Sequence, residues 1–102
     1  MMKLIGLMSL AQYRDHVRQV FEQHDVQIYS EVEITGHTSD TIKKYGWWVF
    51  EKDGIPMYSA LFFAVLADEK ADEIMKAIRS LKGDWDAEHP PKAFQVDVEK
   101  MV

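Results

Sequence analysis

The chain has 102 residues, 47% of them apolar, with 12 basic and 17 acidic side chains, no cysteine and a formal net charge of −5. That length supports one hydrophobic core, read as a single domain over residues 1–102, and the missing cysteine excludes disulfides, thiolate metal sites and cysteine nucleophiles. An acidic balance with no cluster of Lys and Arg gives no footing for a phosphate backbone, so no nucleic acid is expected as a partner.

The apolar run Lys3 to Met8, "KLIGLM", lacks a helical period and reads as a buried strand, with Gly6 its weak point. Ser9 and Gln12 form an S-x-x-Q capping box, after which Leu10, Tyr13, Val17, Val20 and Phe21 recur at helical spacing through Gln23. Ile28, Ser30, Val32 and Ile34 then alternate with Tyr29, Glu31 and Glu33, the pattern of a strand with one covered and one wetter face, ended by Gly36.

Residues 36 to 56 form a connector that opens polar and loop-like and closes on "WWVFEKDGIP". A short strand at Trp47 to Phe50 folding back through the Asp53-Gly54 turn onto the next strand is the expected arrangement. Adjacent residues of a strand point to opposite sides, so one core cannot bury both Trp47 and Trp48. The run Met57 to Leu66, "MYSALFFAVL", is apolar at nearly every position, as a central strand requires. Asp68 is placed to cap a helix whose buried face is Ala71, Ile74, Met75, Ile78 and Leu81, with Gly83 as its stop. After the polar loop "DWDAEHPP", Ala93 to Val98 alternates as a closing strand.

The order strand, helix, strand, strand, helix, strand predicts an α+β fold of the ferredoxin-like βαββαβ plan. It has an antiparallel four-stranded sheet, two helices on one face and an extended connector. The strand around Phe62 is apolar on both alternating sets, so the face without helices is expected to be covered by another subunit.

The "SAL" at Ser59 to Leu61, the "DEKAD" helix start and the "KAFQVDVE" opening at Lys92 are together similar to the second half of the small PII-like proteins. The likeness is strongest to the divergent branch associated with metal-efflux systems, and it spans residues 57 to 99. The resemblance implies a homotrimer with small-effector sites in clefts between subunits. It also implies a T-loop, here residues 36 to 56, that docks a partner such as a membrane transporter. Gly36, His37, Trp47, Trp48 and Lys92 are the candidate ligand-binding residues. The chain departs from the nitrogen-regulatory members where they carry a glycine-rich phosphate loop: "LKGDWDAEHPPKAF" stands there, Pro90 and Pro91 have no N–H to donate, and Asp84, Asp86 and Glu88 repel phosphate.

Among the four histidines none sits four residues from another. The densest set of metal-ligand types is Asp86 to His89, so Asp86 and His89 are the candidate metal ligands, with His37 a partner across a subunit boundary. A metal-binding trimer of the CutA type is accordingly one alternative. Trp47, Trp48 and Phe50 serve either subunit packing or an aromatic floor for a planar ligand. Lys43, Lys44 and Lys92 are either charge for an anionic effector or solvated lysines. No nucleophile motif, paired carboxylates or phosphate loop supports catalysis, and no cofactor follows from these motifs. The enzymatic alternative is a cofactor-free monooxygenase of the dimeric α+β barrel type, with a cavity between helices and sheet. With no run of about 18 apolar residues and an N-terminus that turns polar early, the cytoplasm is the expected location.

Overall fold

In the computed structural model, residues 1–36, 51–52, 55–81 and 91–102 are described. Strand β1 (Met2–Leu10) leads through a 3-10 turn (Ala11–Tyr13) into helix α1 (Arg14–Gln23) and strand β2 (Ser30–Gly36). Strands β3 (Glu51–Lys52) and β4 (Ile55–Ala67), helix α2 (Asp68–Arg79) and strand β5 (Lys92–Asp97) complete the order. The sheet runs β2-β4-β1-β5 with every pairing antiparallel, and β3 pairs with the start of β4. This is the α+β, ferredoxin-like βαββαβ plan expected from the sequence. Glu51 faces Pro56 and Lys52 faces Ile55, so the chain pairs with itself across Asp53 and Gly54 as expected.

Alternation sorts the sheet into two faces. Ile5, Leu7 and Ser9 of β1 and Ala60, Phe62 and Ala64 of β4 point to the helices and are buried. Val17, Val20 and Phe21 of α1 and Ala71, Ile74 and Ile78 of α2 close over them. Phe21 stacks on Tyr29 at a centroid distance of 4.7 Å, and Phe62 tilts against both rings at 6.1 and 6.2 Å, tying α1, the entry to β2 and the central strand together.

The element boundaries differ from the sequence reading for identifiable reasons. Strand β1 continues to Leu10, so Ser9 is a buried strand residue whose hydroxyl donates to the Leu10 carbonyl rather than capping α1. No side chain caps either helix. Asp68 is the first residue of α2, and its carboxylate lies 3.8 Å from the chain's amino group and 4.0 Å from the Lys3 Nζ. It still favours the helix by placing negative charge at the N-terminal end of the dipole. Ile28 lies outside β2 and is 86% exposed. The expected strand at Trp47–Phe50, the Gly83 stop and the "DWDAEHPP" loop lie outside the described residues.

Helix α1 ends in a Schellman motif. The Val26 N–H donates to the Phe21 carbonyl at 2.9 Å and the Asp25 N–H to that of Glu22 at 3.1 Å, while Asp25 takes a φ of +58°. Val26 is buried beside the turn it closes. A left-handed Asp carries a steric cost that Gly avoids, so Asp25→Gly is expected to stabilise the fold by about 0.5 kcal/mol, read as a rise in Tm. In the opposite direction, Phe62→Ala is expected to cost about 3–5 kcal/mol in chemical unfolding, because the ring is fully buried between the layers.

Candidate functional site

The face of the sheet turned away from the helices is where the structure concentrates unexplained surface. By register it carries Leu4, Gly6 and Met8 of β1, Leu61, Phe63 and Val65 of β4, Val32 and Ile34 of β2, and Lys92, Phe94 and Val96 of β5. Val32 is 43% exposed, Phe63 38%, Phe94 45% and Val96 48%. A full aromatic side chain offers roughly 150–250 Å², so this face leaves apolar surface on the order of several hundred Å² in water.

Strand β2 shows the two unlike faces read from the sequence, and the structure decides which of them meets the helices. The apolar set Val32 and Ile34 lies on the open face, and the acidic set turns to the helix side. There Arg18 grips Glu31 with two nitrogens, Nε donating to Oε1 at 3.0 Å and Nη2 to Oε2 at 2.9 Å, and Glu33 accepts from Arg14 at 2.8 Å. Alternation reports that two faces differ; which one meets the helices depends on what the helices present, and α1 presents arginines.

Gly6 in the middle of β1 has a direct cause. Ring atoms Cζ, Cε1 and Cε2 of Phe94, its partner on β5, occupy the place that a Cβ on residue 6 would take. The ring therefore crosses the central strand close to its backbone.

Of the sequence-derived candidates, Gly36 closes β2 opposite Met57, and Lys92 opens β5 opposite Met8 as an exposed side chain. They occupy opposite edges of the sheet, three strand spacings apart, roughly 14 Å across and a further ~13 Å along the strands. One subunit does not bring them together. His37, Trp47, Trp48, Asp86 and His89 lie outside the described residues. Among the described residues Lys92 is the one charged side chain on the open face, and no three His, Asp or Glu side chains group as metal ligands.

Between helices and sheet the fully buried side chains are Phe21, Phe62, Ile5, Leu7, Ile74 and Val17. A shallow groove of about 450 Å³ runs along the outside, between α1 and α2, over Val20, Ala77 and Leu81. At its edge His24 Nδ1 meets Glu73 Oε2 at 2.8 Å, and Lys70 Nζ donates to the His24 carbonyl at 2.8 Å and lies 3.2 Å from the same carboxylate. Sequence spacing gives no sign of this pairing, because His24 and Glu73 are 49 positions apart. No helix among the described residues is long and apolar enough to cross a membrane.

Solved structures share this arrangement. A PII-like signalling protein from Thermus thermophilus superimposes with a TM-score of 0.65 at 11% identity, over 95% of this chain and 86% of that one. The fold is PII-like. CPII, a nitrogen regulatory PII-like protein from Thiomonas intermedia bound to ADP, AMP and bicarbonate, matches with a TM-score of 0.61 at 9% identity, over 99% of this chain and 96% of its own. No family profile matches the sequence, and no curated protein does. The PII-like fold is thus retained here at an identity where sequence comparison alone finds nothing, because alternation and helical spacing survive substitutions that erase identity.

The His24–Glu73 contact gives a measurable pH dependence. The bond from His24, and after it that from Lys70, holds the Glu73 carboxyl below its ordinary value. A depressed carboxylate contributes stability above its unfolded pKa and loses it as pH falls through the folded one. The difference in Tm between the native chain and Glu73→Gln is therefore expected to be present at pH 7 and to shrink below the ordinary carboxylate pKa.

Proposed function

We propose that this chain is a non-enzymatic PII-like regulatory protein. Three copies associate through their open sheet faces, a small effector binds in the clefts between them, and residues 36–56 dock a partner protein such as a membrane transporter. The observation that carries this reading is the apolar sheet face, charged only at Lys92 among the described residues, left without a helix layer on a fold shared with PII-like signalling proteins. Burial of that face supplies a driving force of about 25 cal/mol per Å² of apolar surface.

The effector site follows from the edges. Gly36 at the foot of the connector and Lys92 at the start of β5 lie on opposite edges of one subunit, so a site using both is completed only by a neighbour. In such a cleft Gly36 lets the chain turn from β2 into the connector, and Lys92 supplies positive charge to an anion. His37, Trp47 and Trp48 on the connector line the same cleft, with the tryptophan rings divided between subunit packing and the ligand. The Thiomonas protein binds ADP, AMP and bicarbonate. Here the residues before β5 contain Pro90 and Pro91 in place of a glycine-rich loop, which favours the smaller anion. Effector binding shifts the connector between arrangements only by the difference in its affinity for each.

Isothermal titration against bicarbonate, ADP, AMP and divalent metals tests the effector. Bicarbonate is expected to bind, with Lys92→Ala weakening it tenfold or more; saturable binding of none of these removes the effector reading. Uptake of a divalent metal that is lost in His89→Ala and Asp86→Ala would instead support the CutA-type alternative. Removal of residues 38–54 is expected to leave the assembly intact by native mass spectrometry, since β1, β2, β4 and β5 remain, and an unfolded deletion variant would place the connector in the core.

A further inference from the structure

We propose that the groove between α1 and α2 is a second small-molecule site, separate from the intersubunit cleft, that takes an organic anion with an apolar body, of the medium-chain carboxylate class. Its floor is Val20, Ala77 and Leu81, and Gln23, Lys76 and Ser80 stand on its rim. A space of about 450 Å³ with an apolar floor and a few polar groups around it has the size and make-up of small-ligand sites, which span roughly 300–1,000 Å³.

The rim groups divide into those already satisfied and those left open. Glu73 meets His24 at 2.8 Å and Lys70 at 3.2 Å, so its negative charge is answered within the subunit. The side chains of Gln23, Lys76 and Ser80 make no hydrogen bond or ion pair among the described residues. The ammonium of Lys76 is therefore the unanswered charge of the groove, and it is positive on a chain whose net charge is −5. A cation finds only a carboxylate that is engaged twice, whereas an anion finds a free ammonium with an amide and a hydroxyl as further donors. With its head there, the alkyl body covers Val20, Ala77 and Leu81, and the Lys76 stem lies beside it. The groove is on the helix side, across the core from the open sheet face, so association through that face does not cover it.

The test is a two-dimensional NMR titration of the full chain with sodium octanoate, and with n-octylamine as the cation of equal length, with circular dichroism as the check on folding. Octanoate is expected to shift the amides of Val20, Ala77 and Leu81 saturably at low millimolar concentration, and more tightly than octylamine. Lys76→Met keeps an apolar stem and drops the charge. It is expected to weaken octanoate about fivefold and to remove the preference over octylamine. Ala77→Gln keeps a good helix former and fills the floor, so it is expected to abolish binding. If Ala77→Gln fails to fold, Lys76→Met, at an exposed position, decides alone. No saturable shift of the groove amides, or one that a folded variant leaves unchanged, overturns the inference. Groove amides that respond to dilution of the chain and not to octanoate make a second copy the occupant and overturn it as well. Neither result bears on the bicarbonate reading, whose residues Gly36 and Lys92 stand on the sheet edges.

Discussion

Everything in this molecule depends on the pairing of β1, along its full length, with residues 59–67 of β4 at the centre of the sheet. Both strands are apolar on both alternating sets, so their pairing creates two hydrophobic surfaces back to back. Two helices cover one of them. The chain offers no further helix among its described residues for the other. The hydrophobic effect has no preference between the faces, and a molecule built this way carries an unsatisfied surface as a consequence of its own core.

Charge distribution reinforces the asymmetry. Arg18 and Arg14 draw Glu31 and Glu33 to the helix side of the β2 edge. At the opposite edge Lys3 lies between Asp97 and Asp68, also on the helix side. Such exposed pairs contribute little to stability individually. Their larger effect is positional, since they frame the helical layer with polar groups and leave the open face almost without charge. His24, Lys70 and Glu73 add a polar clasp between the helices.

This asymmetry connects fold to proposed function. In the proposed trimer, a neighbour covering the open face would turn the two edges of the sheet into the two walls of an intersubunit cleft. Gly36 stands at one edge and Lys92 at the other. Under the same proposal, a ligand held against the Lys92 edge of one copy would meet residues 36–56 of the next. Regulation then requires no hinge within the subunit, only two arrangements of residues 36–56 with different affinities for the ligand.

The order of elements, the central position of Met57 to Leu66 and the buried face of α2 were legible in the sequence, because periodicity in apolar residues is set by strand and helix geometry itself. The surplus of apolar sheet was legible for the same reason. The roles of Ser9, Asp68 and Ile28 were not. A capping motif is a local pattern, and whether Ser9 caps a helix or lines a core is decided by how far β1 pairs with β4. The face of β2 was likewise settled only by Arg14 and Arg18, residues remote in sequence from the glutamates they hold. The reason for Gly6 lay 88 positions away in Phe94. What the sequence alone determined was therefore the repeat of apolar and polar positions along each element. Only the tertiary structure decided which face each repeat presents and which residues meet across it, because those depend on contacts between segments far apart in the chain.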